Sequence, residues 1–410
     1  MKYLDYSKQR YDAALNEVER LKQSEFPYPH IKDALLEIEK ALKKQQQTIS
    51  MVLPSSTPDI AKNACSQSLG MLFTYTPFLG FILRSTNVRN AFEVYAPILR
   101  LGRKLLGNDT KVLLSSEWDY SPFVFLPTSE LKDFVLIGVP AFESANPLLI
   151  PLAGHELGHN VWLNSNLASK YDSELRNSVL DAIQNHHWAE FQAYQSAATT
   201  GNLTSDIFVQ QSWLPALHFA SRQLEEVFCD AMGLRLFAES YLHAFAYMLA
   251  PAIPGSRSFF YPTLKDRVAF MIRAAAKLGV TVPANYADLF GTELAPSGLV
   301  EQLLVAIADK SVATQVDNAI DEADDQANAM GIPKRDPANL TSIKESFAMV
   351  MPADGYCSLT DTLNAGWECH LDSTIWDTVA NIPPEEKQRV LFDLILKTLE
   401  VSEFTMRISP

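Results

Sequence analysis

Two histidines four positions apart, His155 and His159, enclose Glu156 in the segment His-Glu-Leu-Gly-His. On an α-helix, residues four apart lie on the same face, so both imidazoles can reach one cation. The Glu156 carboxylate lies beside this pair, where it can take a proton from a water acidified by zinc and pass it to a leaving amine. The segment therefore predicts metal-assisted hydrolysis of an amide. The alternative, two solvated histidines on a surface helix, is disfavoured by the apolar residues on both sides.

A catalytic zinc needs a third protein ligand and one open position. A predicted helix at 224–233 carries Glu226 and Asp230, again four apart, so one carboxylate can bind the metal while the other accepts the second ring N–H of a liganding histidine. Gly233 would let this helix pack closely against its partner. Cys229 lies off the face that the two acids share, which favours a buried apolar thiol over a ligand.

These two segments resemble those of the gluzincin metallopeptidases, and within them most closely the lineage of the CaaX prenyl proteases and heat-shock membrane peptidases. The resemblance implies a complete site: the zinc ligands His155, His159 and Glu226, the general base Glu156, and the orienting carboxylate Asp230. It covers residues 130–275, about a third of the chain, and implies no particular substrate. The membrane spans of the nearest relatives have no counterpart in this sequence.

A third segment, at 260–268, is similar to the family's His-Pro followed by an arginine. Tyr261 stands where the family has its histidine. The resemblance therefore implies that the Tyr261 phenol stabilises the oxyanion, and that Arg267 is a structural residue or a contact for a substrate carboxylate. His218 and His243, which flank the Glu226 helix, are the alternative proton donors to the oxyanion.

The elements around these segments predict an α+β fold that is predominantly helical. Amphipathic repeats predict an N-terminal helical hairpin, and short apolar runs at 112–114, 123–126 and 134–140 predict a small sheet. We expect a zincin-like core at 107–290, between helical regions at 1–106 and 291–410. The strand at 134–139 would then lie at the sheet edge beside the active-site helix, where a substrate chain could add to it. It can also be an ordinary core strand, and the two interpretations do not exclude each other.

Composition narrows the function classes. The net charge of −14 argues against a nucleic-acid surface, which needs clustered Lys and Arg. Four sparse cysteines indicate a reducing compartment, and no secretory signal or run of about 20 apolar residues is found. We therefore predict a cytoplasmic protein without a membrane span.

The predicted function is that of a zinc-dependent peptidase acting on a peptide or protein. The largely helical stretch 164–220 would narrow access to the cleft and restrict the substrates. The competing hypothesis is a helical interaction or sensor protein that retains a metal site and cleaves nothing. Glu156 favours the enzyme, because a structural site has no need of an acid beside its ligands. The sequence leaves the oligomeric state open.

Overall fold

The computed structural model describes residues 2–52, 57–85, 91–117, 123–125, 131–143, 145–251, 256–372, 374–377 and 382–408. Within these ranges the chain is predominantly helical and contains a small sheet, which confirms the predicted helical character. Leu126, the last residue of the second predicted strand, lies outside the described residues. None of the described helices combines the length and the apolarity that crossing a membrane requires.

The helices are, in chain order, α1 Lys2–Lys22, α2 His30–Ser50, α3 Pro58–Arg84, α4 Ala91–Leu106, α5 Ala153–Asn164, α6 Leu167–His186, α7 Trp188–Tyr194, α8 Ile207–Phe237, α9 Glu239–Leu249, α10 Leu264–Leu278, α11 Leu299–Ala313, α12 Val316–Ala329, α13 Pro337–Ala348, α14 Leu359–Leu371 and α15 Pro384–Ile408. The strands are β1 Lys111–Glu117, β2 Phe123–Phe125 and β3 Phe134–Pro140. Short 3₁₀ helices span Ala141–Glu143, Pro147–Leu152 and Tyr286–Leu289.

The chain divides into two compact units, one formed by Met1–Arg103 and Gly107–Ala145, the other by Lys104–Leu106 and Asn146–Pro410. This division differs from the three predicted ranges. The strands belong with the N-terminal helices: the Tyr28 phenol, which precedes α2, donates to the backbone carbonyl of Leu114 in β1 at 2.6 Å. The C-terminal helices share a unit with α5, and the Trp367 indole of α14 donates to the carbonyl of Leu148 at 2.9 Å.

The sheet of the first unit has the strand order β1-β3-β2. Strand β3 pairs in parallel with β1 along its whole length and antiparallel with β2 at residues 136–138. The prediction that this strand is an edge open to a substrate chain is therefore wrong, because both of its edges are paired at these positions. Its near-continuous apolar sequence is typical of a strand that is buried on both faces.

Helix α8 is the central element of the second unit. Its N-terminus is capped by the Asp206 carboxylate, which accepts from the backbone N–H groups of Phe208 and Val209. Every residue from 223 to 237 is buried, since α5, α6, α10, α11 and α12 all pack against this helix. A helix buried all round must pair each of its charged side chains within the protein. The partners of the charged residues in this stretch therefore indicate where a functional site could lie.

Candidate metal centre

Helix α5 carries the His-Glu-Leu-Gly-His segment and is buried from Ala153 to Trp162. His155, Glu156 and His159 are only 7%, 5% and 6% exposed. The two imidazole rings meet edge to face with centroids 5.0 Å apart. The structure thus brings the two histidines together on one face, as their spacing predicts.

Glycines let α5 and α8 approach closely. A Cβ atom on Gly158 would lie 2.9 Å from the Cα of Cys229, and one on Gly154 would lie 3.0 Å from the Cα of Gly233. Gly233 itself faces the Tyr241 ring, which leaves no room for a side chain. Because the two backbones are so close at these points, the acidic side chains of α8 lie within reach of the histidines of α5.

The Nε2 atoms of both histidines face the carboxylate of Glu226. The His155 Nε2 lies 3.1 Å from Glu226 Oε2, and the His159 Nε2 lies 3.7 Å from Oε1. The shorter contact lacks the alignment of a hydrogen bond, and Glu226 Oε2 has no hydrogen-bond partner in the part of the chain that the structure describes. Two imidazole nitrogens and a buried carboxylate with one unpartnered oxygen form a donor set that suits a divalent cation.

The Nδ1 atoms of the same rings are held by two other carboxylates. His155 Nδ1 lies 2.9 Å from Asp230 Oδ1, and His159 Nδ1 lies 2.7 Å from Glu225 Oε1. An Nδ1–H that donates to a carboxylate leaves the lone pair on Nε2, so we assign this tautomer to both rings. Both lone pairs then lie on the side of Glu226.

Asp230 is bound on its other side by two further residues. Arg267 donates from Nε to Oδ2 at 2.5 Å and from Nη2 to Oδ1 at 2.8 Å, and the Tyr241 phenol donates to Oδ1 at 2.7 Å. The Arg267 guanidinium lies between the rings of Phe245 and Tyr261, at 5.0 and 5.1 Å from their centroids. These contacts favour the structural role for Arg267 over contact with a substrate carboxylate.

Tyr261 is 38% exposed. The negative charge of Glu226, followed by burial, raises the pKa of its phenol, which therefore stays protonated and able to donate. Of the alternative donors, His218 packs edge to face on Phe260, the neighbour of Tyr261, whereas His243 stacks on Trp367 of α14.

The electrostatics of this cluster favour an added positive charge. Burial alone would lower the pKa of His155, but the hydrogen bonds and charges of Asp230 and Glu226 outweigh it and raise that pKa to about 10. Burial raises the pKa of the Glu156 carboxyl as well, which makes its carboxylate a stronger base than an exposed one.

A buried group of three side chains, His155, His159 and Cys229, can hold a metal ion, since its ligand atoms all lie within 4.8 Å of one another. Among the described residues it is the only such group of His, Cys, Asp and Glu. The Cys229 Sγ lies against Gly158, 3.2 Å from the position of a Cβ there. Burial raises the pKa of this thiol well above its ordinary value, which keeps it protonated and a weaker ligand than a thiolate.

Comparisons with family models, curated proteins and solved structures return no match for this chain. The resemblance to gluzincins therefore depends on the sequence segments alone.

Three residues of the cluster are absent from the sequence prediction: Arg222, Glu225 and Tyr241. Glu225 had one signal, because it directly precedes the predicted ligand Glu226 on the helix predicted at 224–233. No feature of the sequence indicated Tyr241. It follows a turn at Ala238 with a φ of 52°, a conformation that an alanine does not predict.

Proposed function

We propose that the protein is a zinc-dependent peptidase with a zincin-like site, in which His155, His159 and Glu226 hold the ion and Glu156 is the general base. One observation carries the proposal. Both imidazole Nε2 atoms face the carboxylate of Glu226, whose Oε2 has no hydrogen-bond partner among the described residues, while Glu156, with a raised pKa, is buried beside them. A structural metal site has no use for that last carboxylate.

A bound zinc ion supplies Lewis acidity, which polarises a scissile carbonyl and makes water a nucleophile near neutral pH. Glu156 accepts the proton of the attacking water and returns it to the leaving amine. The protonated Tyr261 phenol donates to the oxygen on which negative charge develops. Asp230, held by Arg267, keeps His155 in its tautomer and orientation.

Glu226 is proposed as the third ligand in preference to Cys229. The Nε2 atoms face Glu226, and a carboxylate ionises where a buried thiol does not. Glu226→Gln should therefore abolish tight zinc binding, whereas Cys229→Ala should retain it. The reverse result would assign the ion to the two histidines and the cysteine.

The second candidate is a sensor or interaction protein that binds the metal and cleaves nothing. The near-complete burial of His155, Glu156 and His159 favours it, because a substrate must reach these groups.

The deciding experiment measures zinc content and cleavage of a diverse peptide library by the purified protein, beside Glu156→Gln and the matched surface variant Glu190→Gln on α7. The peptidase proposal expects one zinc per chain in all three proteins and cleavage in all but Glu156→Gln. Zinc without cleavage in the wild type would favour the sensor, and a wild type that binds no metal would refute both candidates.

A further inference from the structure

His159 is clamped between two consecutive carboxylates of α8. Its Nδ1 lies 2.7 Å from Glu225 Oε1, and its Nε2 lies 3.7 Å from Glu226 Oε1. Neighbouring side chains on a helix project about 100° apart, so a ring that lies in this angle presents one nitrogen to each acid. The Glu225-Glu226 pair thus separates the two nitrogens of one imidazole.

Glu225 is itself held by an arginine. Arg222, one turn earlier on α8, donates from Nη1 to Glu225 Oε2 and is about a third exposed. The arrangement repeats the chain His155, Asp230, Arg267 on the other side of the centre. Each histidine therefore donates to a carboxylate that an arginine orients, and both of these carboxylates belong to α8.

Stability alone does not account for Glu225. Its side chain is 7% exposed, and placing a carboxylate there, next to that of Glu226, carries a desolvation cost together with like-charge repulsion. An apolar residue of similar volume would fill the same space without either cost. What Glu225 adds is an acceptor for the Nδ1–H of His159.

We propose that Glu225, with Arg222 behind it, is a positioning residue that holds His159 in the tautomer and ring orientation that metal binding requires. The inference rests on the proposed metal centre. Outer partners of liganding histidines typically change metal affinity by about 10- to 100-fold when they are removed.

The test is equilibrium competition for Zn²⁺ between the full-length protein and a chelator, with Glu225→Gln, Glu225→Met and Arg222→Met. Gln keeps an oxygen acceptor for Nδ1–H, whereas Met keeps only the volume. We expect affinity to fall moderately in Glu225→Gln and by about 10- to 100-fold in Glu225→Met. Arg222→Met should lose less than Glu225→Met, because the acceptor remains.

A packing role for Glu225 predicts the opposite order, with Met equal to or better than Gln. The matched control is Glu322→Gln, which removes another largely buried carboxylate that pairs with a lysine, Lys170, and it should leave zinc affinity unchanged. The visible spectrum of the Co²⁺-loaded protein should change in Glu225→Met and stay constant in the control. Arg222 is partly exposed, so its variant tests the inference even if Glu225→Met does not fold.

The outcomes separate this inference from the proposed function. Wild-type zinc affinity in Glu225→Met, with peptide cleavage intact, would overturn the positioning role and leave the peptidase standing. Weakened zinc binding in a protein that cleaves no peptide would support the positioning role and refute the peptidase. A wild type that binds no metal would overturn both.

Discussion

The contact between Gly158 and Cys229 fixes the distance between the two helices that form the centre, and it can be tested with one methyl group. In Gly158→Ala the new Cβ would lie 2.9 Å from the Cys229 Cα and 3.2 Å from its Cβ and Sγ, whereas ordinary contacts begin at 3.4 Å. The closest of these atoms is backbone, which cannot swing aside. Helix α8 must therefore move away from α5 by about half an ångström or more.

That displacement acts on stability and on the centre together. Overpacking of this kind costs about 1–3 kcal/mol of unfolding free energy. Gly158 lies between His155 and His159, and Cys229 lies one turn from Glu226, so the same movement widens the gap that a metal would bridge. The ligand distances of a metal site lie within about 0.2 Å of standard values. A wider gap should therefore weaken binding, and we expect zinc affinity to fall by about 10- to 100-fold.

The assay combines urea unfolding of the metal-free protein with zinc competition. The control is Gly70→Ala in α3, a helical glycine around which an added Cβ meets nothing within 4 Å. It should leave zinc affinity unchanged and stabilise the protein by up to about 1 kcal/mol. If Gly158→Ala is as stable as the wild type and binds zinc as tightly, the close approach of the helices does not set the site, and the reasoning fails.

Three further predictions concern single side chains. Arg235→Met removes a guanidinium that is 2% exposed and bound to Asp324, and it should lower the unfolding free energy by about 3 kcal/mol in urea titrations. Tyr241→Phe removes one of several donors to Asp230, so it should cost about 1.5 kcal/mol while zinc affinity barely changes. Hydrogen bonds from two lysines lower the pKa of Glu39 from 4.5 to about 2, so its contribution is present above pH 4.5 and is lost as the pH falls through 2. Glu39→Gln should therefore cost about 1 kcal/mol at pH 7, and unfolding curves of variant and wild type should converge at the acid end.

Helical periodicity explains why the sequence predicted the neighbours at the centre. His155 and His159 share a face whatever surrounds them, and so do Glu226 and Asp230. Periodicity does not predict that the two helices pack against each other. The glycines at 154, 158 and 233 permit that packing, because they leave room for close contact.

Residues outside those two faces depended on information that periodicity does not carry. Glu225 meets His159 only because α8 crosses α5 at an angle that places the ring between consecutive acids. Sheet order is likewise absent from the apolar runs, since a run such as 134–140 reads the same in a central strand and in a buried edge strand. For this reason the prediction of an edge strand at 134–139 was wrong, whereas the pairs of residues predicted to share a helix face do so.

The buried acidic residues of α8 are stronger support for a metal site than the His-Glu-Leu-Gly-His segment alone. Glu225, Glu226 and Asp230 lie in a stretch of helix that is buried on every side, where an unpaired carboxylate costs several kcal/mol. These three carboxylates face only two guanidinium groups, those of Arg222 and Arg267. A helix that served only as a core element would carry apolar residues at these positions. The positive charge still missing can come from a proton on His155, whose pKa the neighbouring acids raise to about 10, or from a bound cation. A cation that binds only the folded protein stabilises it, so we expect metal removal to lower the free energy of unfolding.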